Sequence, residues 1–266
     1  MVMMELARDL RDEGDELETM LRTLSDEDWQ RPTPFKDWTP DYVMQHLYMG
    51  DWMNILSLTD PERFRETSDK RKAARDAGQQ SMGLEFIDRD VGQGAELLGH
   101  WHQQLNQLCD LFAGDEAKRR IQWVGPDMSV RSAATARLME TWAHGQDIHD
   151  LLRRPREAKD RIRNIAALGV NTYGWTFQNR GETPPGPPPH VRLTAPSGAI
   201  WTWNNADEGN LVEGPALDFC QVVTQGRNIA EVNLNVVGET ATKWMAVAQC
   251  FAGVPKEPPA PGERGW

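Results

Sequence analysis

The sequence predicts an α+β protein: a four-helix bundle over residues 1–155, then a small α+β domain over residues 156–266. Three observations carry this expectation. The first half holds long stretches with apolar residues at helical spacing. The texture breaks at "RRPREAKDR", residues 153–161. Beyond it, "HVRLTAP" and "AIWTWN" alternate apolar and polar residues around "SG", a hairpin signal, among short helical runs. With 266 residues and 39% hydrophobic composition, the chain has enough material for one large domain or two small ones.

The elements follow in order. Val2 to Leu24 reads as the first helix, with Leu6, Leu10, Leu17, Met20, Leu21 and Leu24 near one face. The second has a clear start: Thr39 is a good N-cap, Pro40 suits the first helical position, and Asp41 suits the positive dipole end. "TDPERFRETSDKRKAARDAGQQ" is charged and reads as a solvated extension or loop with some helix. A third helix is expected from about Asp90 to Phe112, and a fourth from Ser129 to Leu152. Four long helices point to a bundle. Then "RIRNIAALGVNTYGWTFQNRG" reads as one helix, and "TPPGPPP" as neither helix nor central strand, since proline lacks the N–H. "ALDFCQVVTQG" is a short helix and "AEVNLNVVG" a strand. "TKWMAVAQCFAG" is a closing helix with Gly253 as its C-cap. The tail, 254–266, is expected to be loose.

Composition excludes several classes. There are 29 Lys and Arg against 40 Asp and Glu, a net charge of −11, which weighs against nucleic acid as a partner. No apolar run approaches the ~18 residues of a membrane span. The acidic N-terminus lacks the basic start of a signal peptide, so a cytoplasmic protein is expected. Cys109, Cys220 and Cys250 are far apart and form no C-x-x-C, which reads as buried thiols in a reducing compartment.

The stretch that carries chemistry is "METWAHGQDIHD", 139–150. On a helix, residues four apart share a face, so Glu140 and His144 point together. Asp147 falls on the same side. Ala133, Ala136, Ala143 and Leu151 share or flank that face. A bundle builds metal sites from such inward carboxylates and imidazoles. An unpaired buried carboxylate is costly, so an inward face implies a cation and an outward face implies nothing. His46, about two turns into the second helix, is the natural third ligand; otherwise it is a hydrogen-bonded core histidine. His100 and His102 face different ways, His149 leaves the face, and His190 is expected to be exposed.

"DWTPDYVMQHLYMGDW" resembles the second helix of the DinB-like metal-binding bundles. "SVRSAATARLMETWAHGQDIHD" is similar to the fourth helix of their mycothiol-dependent maleylpyruvate isomerase branch. "VRLTAPSGAIWTWN", "ALDFCQVVTQGR" and "WMAVAQCFAG" resemble that branch's sterol-carrier-like C-terminal domain. Carried over residue by residue, the resemblance implies the ligands His46, Glu140 and His144. It also implies an arginine at the mouth of the metal pocket. Relatives often carry two arginines after "VVTQ"; this chain has Gly226 and then Arg227.

Two histidines and one carboxylate leave coordination positions open, the catalytic pattern of zinc, and the same set suits Fe(II). The resemblance favours zinc and implies a thiol cosubstrate such as mycothiol. The expected function is a metal-dependent enzyme, a thiol-dependent isomerase or S-transferase acting on a small electrophile. Asp147 is a candidate acceptor for a ligand imidazole, and Arg227 a candidate carboxylate-binding residue. The alternatives are a non-haem Fe(II) enzyme and a non-catalytic carrier-like protein. In the carrier reading, Trp201, Trp203 and Trp244 line an apolar pocket; ordinary core packing is the better account of those rings.

Overall fold

The computed structural model describes residues 2–79, 82–87 and 90–264. The chain divides into two compact units, residues 1–145 and 146–266.

In the first unit the long helices are α1 (Val2–Leu21), α2 (Pro40–Thr59), α4 (Gly94–Ala113) and α5 (Val130–Leu152), which continues past the division. α1 packs on α4, and α4 on α2. The α1 stripe Leu6, Leu10, Leu17 and Leu21 is buried, as its spacing predicts. α2 begins where its sequence says: the Thr39 hydroxyl accepts from the Tyr42 N–H at 3.2 Å, with Pro40 at the first turn. The charged stretch after α2 is more regular than expected. It forms α3 (Pro61–Asp76), capped by Asp60, whose carboxylate accepts from the Arg63 N–H at 3.1 Å. Only Phe64 and Thr67 of α3 are buried, so its charge reflects a solvated face on a real helix. α4 starts at Gly94 rather than Asp90. Two short strands, β1 (Arg120–Ile121) and β2 (Met128–Ser129), pair around the Gly-Pro breaker.

The second unit is a four-stranded sheet, order β4-β3-β5-β6, with helices. β3 (His190–Thr194) and β4 (Ile200–Trp203) form the expected antiparallel hairpin. β5 (Leu211–Pro215), which the sequence reading missed, runs parallel to β3 and antiparallel to β6 (Asn235–Val237). The expected strand 230–238 is shorter because Ile229–Glu231 turns as a 3-10 segment inside an Asn228–Glu231 capping box. The expected helix at 161–181 is two, α6 (Arg163–Asn171) and α7 (Tyr173–Asn179). They break at Thr172, whose hydroxyl donates to the Leu168 carbonyl at 2.8 Å. α6 packs on α8 (Ala216–Val223) through Gly169, where a Cβ would lie 2.8 Å from Val223.

Three further expectations need correction. α9 (Glu239–Val247) ends six residues before Gly253, which sits at φ 122° in a later turn and caps nothing. His190 is buried at the start of β3, not exposed, because its strand pairs on both sides. The tail through Arg264 is tied down. Lys256 N–H donates to the Gln249 side chain at 2.9 Å, the Pro259 carbonyl accepts from Asn228 at 2.8 Å, and Gly262 N–H donates to Glu231 at 2.8 Å. No local periodicity signals this, since distant side chains supply the bonds; residues 265 and 266 lie outside the described ones. Trp201 and Trp244 are buried in the core, with Trp244 edge-on to Phe219 and Tyr173 at 5.8 and 5.4 Å.

Candidate metal centre

α2 and α5 bring His46, Glu140 and His144 together. Their ligand atoms all lie within 4.8 Å of one another. His46 Nε2 is 3.0 Å from Glu140 Oε2, and His144 Nε2 is 3.6 Å from the same oxygen. Two ligands at ~2.1 Å from one ion span about 3.0–3.6 Å when they subtend roughly 90–120°. The donor set therefore fits a divalent ion. It also fits chemically, with two imidazoles and one carboxylate.

The electrostatics suit the same role. Burial pushes the His46 imidazole below its ordinary 6.5, outweighing the opposite pull of Glu140. A neutral ring keeps a lone pair for a metal. Burial alone would raise Glu140, but hydrogen bonds from His144 and His46 hold it well below its ordinary range, so it is anionic at neutral pH. The side chains of His46 and Glu140 are 29% and 26% exposed, and that of His144 9%. The triad is thus walled but reachable.

One turn before Glu140 lies a different kind of pair. Arg137 Nε donates to Asp51 Oδ1 at 2.7 Å, and Trp101 Nε1 donates to Asp51 Oδ2 at 2.9 Å. Arg137 also donates to the Leu47 carbonyl at 3.3 Å. Gly50 allows the approach: a Cβ there would lie 2.6 Å from Arg137 Nη1. Sequence reading missed this pair. A lone Asp and a lone Arg at helical positions read as surface until the partner helix is placed.

It also missed the wall around the histidines. Trp38 lies nearly parallel to His144, 16° between planes at 5.5 Å, and Phe35 sits 5.3 Å from the same ring. The available signal was the aromatic cluster in "PFKDWTP" just before the α2 cap.

In the second unit, Arg227 is engaged by a partner that the sequence reading did not foresee. Its two terminal nitrogens donate to the two oxygens of Asp150 at 2.8 and 2.6 Å, and Nη1 also donates to the Gly226 carbonyl at 2.8 Å. Gln146 Nε2 donates to Asp150 at 2.9 Å. Asp147 is buried and 4.0 Å from Arg264. The three cysteines are buried and form no disulfide. Burial raises the Cys109 thiol to about 12 and the Cys220 thiol well above 9.0, so neither is a nucleophile at neutral pH.

The mycothiol maleylpyruvate isomerase N-terminal domain model matches residues 10–149, more than half of the chain. The chain belongs to that family. Two uncharacterized proteins, from two strains of Mycobacterium tuberculosis, are each 39% identical to it over 252 residues, 93% of this chain and 95% of the relative. Among solved structures, it is similar to the mycothiol-dependent maleylpyruvate isomerase, with a TM-score of 0.52 at 13% identity over 83% of this chain and 88% of that one. A histidine-to-alanine mutant of the isomerase gives a TM-score of 0.51 at 12% identity over the same shares. At that identity the likeness is one of fold. Among the described residues no helix is long and apolar enough to cross a membrane.

Proposed function

We propose that this protein is a divalent-metal enzyme that activates a low-molecular-weight thiol, mycothiol or a chemical equivalent, against a small electrophilic substrate. The observation that carries the reading is the convergence of His46, Glu140 and His144 at metal-ligand spacing in a chain of this family. These three residues would hold the ion, and zinc is the ion we assign. When bound, it supplies a thiol pKa low enough for the thiolate, the nucleophile, to exist at neutral pH.

The chain's own groups define the rest. Glu140 brings the negative charge that offsets the cation. His46 stays neutral through burial. The chain's thiols are buried, which supports an external thiol as the nucleophile. The thiolate adds to an alkene carbon conjugated to a carbonyl, forming a C–S bond while the π pair moves to the carbonyl oxygen. Rotation about the former C=C bond, now single, and loss of the thiolate return the isomerised alkene; protonation of the adduct instead completes S-transfer. Arg227, held by Asp150, is proposed to act on the substrate's carboxylate through the N–H groups not spent on Asp150, and Asp147 to orient the site.

The test has two arms. The native protein is analysed for bound metal, then assayed with several thiols against a panel of activated alkenes. Stoichiometric zinc and thiol-dependent turnover that a chelator abolishes are expected. Iron instead of zinc would overturn the ion assignment, and turnover without thiol would overturn the reading.

A further inference from the structure

The turn that precedes α2 is built from residues that resist its conformation. The Trp38 N–H donates to the Phe35 carbonyl at 2.9 Å, closing a four-residue turn. Both central residues, Lys36 and Asp37, have positive φ, 53° and 56°. That is the type I′ pattern, which ordinarily selects Asn-Gly or Gly-Gly. A turn of this kind persists where its surroundings over-determine it, and such places cluster at functional sites. Here the turn is pinned on its outer side as well: the Thr33 N–H donates to the Trp38 carbonyl at 2.8 Å.

The turn delivers one side chain to the triad. Trp38 stacks on His144 at 16° and 5.5 Å, and leans on His46 at 53° and 5.4 Å. It therefore touches both imidazoles. Its own edges are held by Phe35 at 5.0 Å and Tyr42 at 4.9 Å, each near perpendicular. The Lys36 ammonium lies 4.4 Å from the Phe35 ring centroid and 5.5 Å from that of Trp38. An imidazole ligand needs its ring plane fixed as well as its position, usually by a hydrogen bond to its other nitrogen. A flat ring stacked on its face does the same by excluding every tilted rotamer.

We propose that Trp38 is a positioning residue of the metal centre: its ring face sets the planes of His144 and His46, and the strained 35–38 turn clamps it there. This rests on the metal reading given above. The experiment compares wild type, Trp38→Leu and Trp38→Phe. Leucine keeps an apolar side chain in the turn but not a flat face; phenylalanine keeps both. Affinity is read by competition with a chromophoric chelator, ligand geometry by the visible absorption of the Co(II)-loaded protein, and folding by the melting temperature without metal. Loss of a supporting contact to a ligand weakens metal binding roughly 10–100-fold. That loss, with an altered cobalt spectrum and a little-changed metal-free melting temperature, is expected for Trp38→Leu, and near-complete rescue for Trp38→Phe. A folded Trp38→Leu with wild-type affinity and spectrum overturns the inference, as does a folded Trp38→Phe that loses metal equally. Wild type that takes up no metal overturns the metal reading instead.

Discussion

α2 and α5 meet through two sets of charged side chains that do opposite things. Asp51 and Arg137 are 0% and 3% exposed, and both carboxylate oxygens of Asp51 have donors from within the chain. The pair is closed. Three residues further along α5, Glu140 meets two imidazoles that are weaker, titratable partners, in a spot a quarter open to solvent. That set is spaced for an ion. The difference teaches where buried charge is structural and where it is available. A guanidinium satisfies a carboxylate permanently, while an imidazole holds one in a state that a metal can take over.

Breaking the closed pair gives the largest expected effect. Arg137→Met leaves Asp51 buried with only the Trp101 indole as partner, and should cost about 3–5 kcal/mol of stability. Denaturant unfolding of the metal-free protein measures it. The Asp51→Asn, Arg137→Met double variant should recover much of the loss, since removing both charges is far milder than removing one. A single variant as stable as wild type would erase the contrast between the two sets.

The Arg227–Asp150 pair should fall between. Arg227→Ala deletes charged hydrogen bonds to a buried carboxylate and is expected to cost about 1.5–3 kcal/mol, with metal content unchanged. Turnover should drop further than the folded fraction does. Arg227→Lys should restore only part, because lysine lacks the fork. Metal content, melting and kinetics are measured side by side; turnover that tracks folded protein alone would make this pair as purely structural as Asp51–Arg137.

Glu140→Ala sharpens the comparison from the open side. The lost hydrogen bonds to His46 and His144 should cost about 0.5–1.5 kcal/mol each in the metal-free protein, yet zinc retention should collapse. A variant that keeps its zinc would remove Glu140 from the ligand set.

Acid gives the smallest effect. Burial lowers His46, so the unfolded chain takes that proton first, and metal-free stability should decline as pH falls below 6.5. Glu140 is depressed, so its contribution is complete above its ordinary 4.5 and is lost as pH falls through the lower folded value. Both signs make the metal-free protein acid-labile. Melting temperatures from pH 7 to 4 check this, and Glu140→Gln should flatten the lower part of the curve.

The sequence by itself determined the helical first half, the Thr39 start of α2, the β3–β4 hairpin and the Glu140–His144 face. Each is local: a capping hydroxyl, a two-residue period, or an i,i+4 spacing is written within a few positions. It also carried the family through long motifs that keep their spacing. Only the tertiary structure decided how His46, 94 residues from Glu140, comes to lie 3.0 Å from it. The same holds for the partners of Asp51 and Arg227, for the parallel placement of β5 beside β3, and for the anchoring of the tail. A side chain's charge is visible in the sequence, but its partner is set by which helix or strand packs against it. Burial then decides whether that charge is spent or held ready.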